Sequence, residues 1–268
     1  MKKVIFTLSA ALILGALLHA QTLDEVLARN YQARGGLDRL KALAGWKLSG
    51  RMVVDALGLD LPIAIWQKAP DRMRVETTFR DKKIVQACDG RMAWWIMPFL
   101  SDAARAMPDD QGGLFCDQAV FGNPLVDFAE KGHRLELLGM EPLEGKPAVK
   151  LRLVKSDGKE IFYFLDAASG LELKSSRMMK MGESEALVEI LYGDYRPAGG
   201  LAMPFAIENR LDGQPQVRMI FDEIEIDPVM EDAMFAMPDE KETPGKKKTP
   251  GRKKTPGKKR TPGKKGGK

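Results

Sequence analysis

Apolar and polar residues alternate with period two along most of this chain, the pattern left by strands that bury one face. The alternation is clearest over 186–227, where Leu187, Glu189 and Leu191 oppose Val188, Ile190 and Tyr192. A turn at 197–200 follows, then a second run over 202–211 that ends at Asp212-Gly213, the dipeptide that best accepts the positive φ angles of a two-residue hairpin. The third run places Val217, Met219 and Phe221 on one face and then shifts phase to Ile224 and Ile226, as a β-bulge would. These three runs predict an antiparallel meander.

The rest of the chain follows the same rules with two exceptions. At the start, Thr22 and Glu25 form a capping box ahead of Leu23, Val26, Leu27 and Tyr31 at helical spacing, Gly35-Gly36 stops that helix, and Leu37, Leu40 and Leu43 predict a short second one. Strands are then predicted from Trp46 to Asp55 and over 59–68, 72–79, 82–88 and 91–97, with Asp89-Gly90 as a hairpin turn. The second exception is 99–130, which lacks alternation and carries helical-looking pieces at 114–120 and 125–130; an insertion of this size between two meanders is commonly a cover or a functional segment. Strands resume at 134–140, 148–155, 160–165 and 171–178, giving about eleven or twelve in all, and 234–238 closes the body.

Charge divides the chain further. Lys2 and Lys3 precede an apolar run over 4–18 that closes at Leu18-His19-Ala20, the form of a cleavable secretory signal peptide over 1–20. Of the 42 basic residues, 12 lie in 243–268 and 2 in 1–20, leaving 28 against all 37 acidic residues in 21–242, a net charge of −9. The expected body is therefore one acidic β domain over 21–242. The tail over 243–268 repeats Thr-Pro-Gly-Lys-Lys, has nothing to bury and is read as disordered. Its Lys246, Lys247, Lys248, Arg252, Lys253, Lys254, Lys258, Lys259, Arg260, Lys264 and Lys265 are candidates for binding an anionic surface. Export makes a membrane or an envelope polymer the expected target and argues against nucleic acid.

The sequence offers no phosphate-binding glycine loop, no paired His or Cys metal spacing and no nucleophile elbow, so neither an enzyme nor a cofactor or metal is expected. His133 follows Gly132 at a strand start and reads as a turn residue rather than a catalytic one. Cys88 and Cys116 leave two readings open in an oxidising compartment, a disulfide or two buried thiols. What stands out is a long sheet with bulky, soft residues on its strands, a composition suited to irregular apolar ligands or to plain core packing.

The body resembles the LolA-like outer-membrane lipoprotein-sorting proteins. The resemblance is carried by Tyr31-Gln32-Ala33-Arg34-Gly35-Gly36, Pro70-Asp71-Arg72-Met73-Arg74-Val75, and Asp89-Gly90 followed by Trp94-Trp95 and Pro98. It continues through Gly139, Glu144-Gly145, Tyr163, Asp166, Gly170-Leu171, Asp194-Tyr195, Gly200-Leu201, Met203-Pro204 and Phe235-Ala236-Met237-Pro238, in that order over about 22–238. It implies a mainly β fold, an incomplete antiparallel barrel with helices across its concave face. It also implies a monomeric, non-catalytic periplasmic carrier that shelters lipoprotein acyl chains or other lipids and exchanges them with delivery and acceptor proteins of the two membranes. A sensor that binds a partner with the same half-barrel is the alternative. On either reading the candidate lining consists of Met52, Ile63, Ile65, Met73, Val75, Trp94, Ile96, Leu151, Leu153, Met203, Phe205 and Met219. The resemblance also places Cys116 near the covering helices, where a bond to Cys88 would fasten cover to rim.

Overall fold

A computed structural model describes residues 21–182 and 184–238. The leader over 1–20 and the basic tail over 243–268, with its eleven candidate cations, lie outside the described residues. The chain opens with α1 (Leu23–Arg34) and α2 (Leu37–Lys41) and continues into β1 (Gly45–Val54), β2 (Leu59–Lys68), β3 (Arg72–Phe79), β4 (Lys82–Cys88), β5 (Ala93–Met97) and β6 (Ser101–Ala106). After α3 (Asp109–Ala119) come β7 (Arg134–Leu143), β8 (Lys146–Val154), β9 (Glu160–Asp166), β10 (Glu172–Met181), β11 (Ser184–Ala198), β12 (Leu201–Leu211) and β13 (Gln214–Ile226).

All 13 strands join one antiparallel sheet in the order β6-β5-β4-β3-β2-β1-β13-β12-β11-β10-β9-β8-β7. The sheet does not close, because β6 and β7 are its two edges. The segment that links them, containing α3, crosses one face of the sheet. The strand that alternation did not mark is β6, whose Ser-Asp-Ala-Ala-Arg-Ala has no bulky apolar side chain to show a face. The helical reading of 125–130 also gives way: only 109–119 forms a helix in the insertion, and 124–132 is turns.

Local chemistry sets the curvature. The phase shift anticipated in the last strand is present where β1 pairs with β13, since Ser49 faces Glu223 and Gly50 faces Phe221, leaving Asp222 as the extra residue of a bulge. Gly50 is required there, because a Cβ would stand 2.1 Å from Ile220 O and 2.6 Å from Phe221 Cα. The Asp212-Gly213 turn has φ of 48° and 75°, the left-handed pair that a tight hairpin needs.

Three apolar clusters fill the concave side. Val26 and Leu27 of α1 and Leu125 pack on Leu135, Val149, Leu151, Leu153, Tyr163 and Leu165. Leu40 of α2 and Val126 pack on Leu48, Leu201, Met203, Phe205, Phe221 and Ile224. Phe115 and Ala119 of α3 pack on Ile65, Met73 and Val75. The cover is anchored as well as packed. Thr22 and Glu25 complete the capping box of α1, and Asn30, fully buried, donates from Nδ2 to Gly170 O at 2.8 Å. Gly35 takes φ 117° at the end of α1, and a Cβ there would meet Gly200 O at 2.5 Å, so this helix end rests directly on the β11–β12 turn.

Cys88 of β4 and Cys116 of α3 are bonded to one another, with Cα atoms 5.5 Å apart and a sequence separation of 28. The bond is buried on the sheet side, where Cys88 has no exposed surface. It ties the α3 side of the cover to the sheet covalently. In the loop-entropy account, closing a loop of this length contributes about 3–4 kcal/mol. Replacing both cysteines by alanine should lower the unfolding free energy by that amount in urea titrations, and reductant should shift the parent protein's midpoint while leaving the double variant's midpoint in place.

Candidate functional site

The helices do not fill the concave face completely. Between them and the sheet lies a cavity of about 330 Å3. Trp46 and Leu48 of β1, Ile161 and Tyr163 of β9, Ile190 and Tyr192 of β11, and Ile207 of β12 form much of its wall, while Leu40, Leu43 and residues 122–124 close it from the helical side. The strands supply this wall because residues paired across an antiparallel sheet share a face: Tyr163 faces Ser175, Ser175 faces Ile190, and Tyr192 faces Ile207.

One polar constellation stands in this apolar setting. Arg34, at the end of α1, places Nη1 2.9 Å from Glu172 Oε2, and the two side chains are only 12% and 6% exposed. Glu172 also accepts from Asn123 Nδ2 at 3.1 Å and from the Tyr195 hydroxyl at 3.3 Å, while its backbone carbonyl accepts from the same hydroxyl at 2.9 Å. Arg34 Nη2 lies 3.8 Å from Met203 Sδ, and Arg34 Nε is buried without a hydrogen-bond partner among the described residues. Burial works against the guanidinium charge, but the Glu172 carboxylate outweighs it and holds Arg34 above the ordinary arginine value. Burial raises Tyr163, Tyr192 and Tyr195 above the ordinary phenol value, so the hydroxyls around the cavity stay neutral donors and acceptors. Tyr192 exchanges a hydrogen bond with Ser175 at 3.0 Å.

Glu172 therefore joins three parts of the chain: its own strand, α1 through Arg34, and the covering loop through Asn123. A further tie runs from the Tyr31 hydroxyl to Leu125 O at 2.6 Å, and burial, then Asp127, pushes that phenol up to about 12. On the α3 side, Gln67 Nε2 donates to Gln118 O at 2.8 Å, and Trp46 packs against Phe121 with centroids 4.4 Å apart and the rings tilted by 46°.

The sequence-derived lining is only partly brought together here. Leu151 and Leu153 lie under α1, and Ile65, Met73 and Val75 under α3. Met203, Phe205 and Met219 belong to the central cluster, and of the twelve candidates only Met203 borders the cavity. Ile63 is buried on the same face, paired with Gly50, and Met52 pairs with Met219 and Leu61 nearer the rim. Trp94 and Ile96 are on the opposite face, since they pair with Ala87 and Val85 and pack with those residues. Arg34, Glu172, Trp46 and Tyr192 escaped sequence reasoning. Arg34 and Glu172 meet across 138 residues, so no local spacing announces them.

His133 accepts at Nδ1 from the Ser156 amide at 3.2 Å, a turn contact away from the cavity. Among the described residues no group of three His, Cys, Asp or Glu side chains could hold a metal ion, and no helix is long and apolar enough to cross a membrane. Removing the carboxylate with Glu172→Ala strands a buried guanidinium, a change that costs about 3–5 kcal/mol. Urea unfolding should show that loss, and adding Arg34→Met should restore much of it.

No protein-family model and no curated protein matches the chain. Solved structures do. An outer membrane lipoprotein-sorting protein domain from Vibrio parahaemolyticus superposes with a TM-score of 0.54 at 13% identity, over 79% of this chain and 94% of that one. A LolA superfamily protein from Nitrosomonas europaea gives 0.52 at 14% identity, over 81% and 98%. A DUF1329 family protein from Desulfovibrio piger gives 0.54 at 10% identity, over 80% and 96%. At these identities the likeness is one of architecture, and it runs through nearly the whole length of each of the three solved structures. The chain has a LolA-like fold, an antiparallel half-barrel left open and roofed by its own helices.

Proposed function

We propose that this chain is a non-catalytic carrier in the periplasm that shelters acyl chains of lipoproteins or other lipids between the sheet and its helical cover. The observation that carries the reading is the cavity itself: apolar walls on a LolA-like half-barrel, with one buried ion pair at its edge. A volume of about 330 Å3 sits at the small end of the ~300–1,000 Å3 common for ligand sites. It has room for part of one chain, so a larger lipid needs the cover to shift. The disulfide fixes α3 to β4, whereas α1 and the 123–126 loop are joined to the sheet side by the contacts that converge on Glu172 and Gly170. Movement at that second side breaks no covalent bond. The expected leader over 1–20 supports export.

In the protein purified without detergent, mass spectrometry of organic extracts should find bound lipid. A protein partner recovered on an empty cavity would favour a sensor instead. Ile190→Asp, which puts a carboxylate on the cavity wall, should weaken binding of a fluorescent fatty acid about tenfold, the effect of ~1.4 kcal/mol, with an unchanged circular dichroism spectrum. Unchanged affinity would count against the cavity as the site.

The basic tail is proposed to hold the carrier near anionic membranes. Each Lys or Arg contributes about 1 kcal/mol close to such a surface, screened over roughly 8 Å at physiological salt. A chain ending at Glu242 should therefore lose salt-sensitive sedimentation with phosphatidylglycerol vesicles and keep its fatty-acid affinity. Equal sedimentation of the two forms would rule the tail out.

A further inference from the structure

A second cavity, with a volume of about 710 Å3, lies on the other face of the sheet. The chain after β13 turns back across β3–β5 and roofs it with Ala233, Met234, Ala236 and Pro238. This strap is pinned at two carbonyls: Arg74 Nη1 donates to Met234 O at 2.7 Å and Trp94 Nε1 to Phe235 O at 2.7 Å. Phe235 is fully buried and Trp94 is 1% exposed, so the anchor is firm. On either side of it the strap offers the single methyl groups of Ala233 and Ala236, which leave space above the β4–β5 hairpin.

The floor of that space is apolar: half-buried Ile96 and Pro98 line it, with Val85 and Trp94, almost fully buried, packed beneath. Its rim carries Lys82 and Lys83 at the start of β4. Arg74 and Lys83 share Glu76, with contacts of 2.7 and 2.6 Å, so that carboxylate is already engaged. Lys82 forms no ion pair among the described residues; its Nζ donates to Pro98 O at 3.3 Å and rests 5.2 Å from the Phe99 ring centroid. An ammonium has three donors, and this one has donors to spare beside the trough. Asp102 is the other carboxylate on the rim. An apolar trough ending at lysines is complementary to a molecule with one hydrocarbon chain and a negative head. The volume is within the ~300–1,000 Å3 typical of small-molecule sites.

We propose that this convex cavity binds an anionic single-chain amphiphile, with the chain against Ile96, Pro98 and Met234 and the head facing Lys82 and Lys83. The site is separated from the concave cavity by the sheet itself, so it stands or falls independently of the carrier reading. It gives Ile96 a ligand-facing role on the face opposite to the concave one.

The test is photo-crosslinking of the full-length protein with a long-chain fatty acid bearing a diazirine near its terminal methyl, and mapping of the adducts by peptide mass spectrometry. Adducts are expected on peptides covering 85–96 and 233–238. Ile96→Asp, at a half-buried position, should cut those adducts about tenfold while leaving any on Ile190 or Ile207. Lys82→Glu with Lys83→Glu should do the same, and an uncharged monoacylglycerol with the same photoreactive chain should label this face several-fold less. Adducts confined to the concave peptides, or convex adducts that survive Ile96→Asp, overturn the proposal. Equal convex labelling by the charged and uncharged probes overturns the part assigned to the lysines.

Discussion

An antiparallel sheet that stops short of closure has an apolar face that must be kept from water, and every other feature of this molecule answers to that constraint. Closing the barrel would hide the face behind the strands themselves. Here the link between the edge strands β6 and β7 runs over the concave side, and α1 and α2 complete the roof. Because separate pieces of chain rather than one sheet do the covering, their side chains cannot meet the floor everywhere. The cavity is the residue of that mismatch.

The two halves of the roof are attached by different physics. A covalent bond between Cys88 and Cys116 holds α3, and its strength is indifferent to what occupies the cavity. On the other side the Arg34–Glu172 pair and the Asn123 contact hold the first helix and the loop. A buried ion pair sits in a balance between desolvation and attraction, so admitting water or a polar head beside it changes its energy. A roof fixed at one side and adjustable at the other suits a container better than a uniformly packed core does.

The sequence made the strands legible because one face of each is buried, and alternation reports burial. It made the turns legible where Asp-Gly demanded left-handed backbone, as at Asp212-Gly213, and the bulge because Phe221 and Ile224 break phase. It could not report β6, an edge strand without a bulky apolar residue. Nor could it say which face is concave: β5 reads Ala-Trp-Trp-Ile-Met, apolar on both sides, so nothing in it marks Trp94 and Ile96 as looking away from the face of Ile63 and Ile65. The polar heart of the site was illegible for another reason. Arg34 looks like any helix-ending arginine and Glu172 like any strand-edge glutamate until the fold brings them together.

The order of strands has a consequence for how the molecule assembles. Every neighbouring pair in the sheet is consecutive in the chain except β1 and β13, which meet at its middle, Trp46 opposite Ile226. Two hairpin series, β1–β6 and β7–β13, can each zip up through short loops. The seam between them must wait for the two ends of the domain to find each other, at the entropic cost of the longest loop in the protein. Until the last strand arrives, the first series presents β1 as an unpaired edge and the half-barrel stays incomplete. The central seam of the finished sheet is then the final join of the folding chain, and the bulge and Gly50 at that seam are where its register is locked.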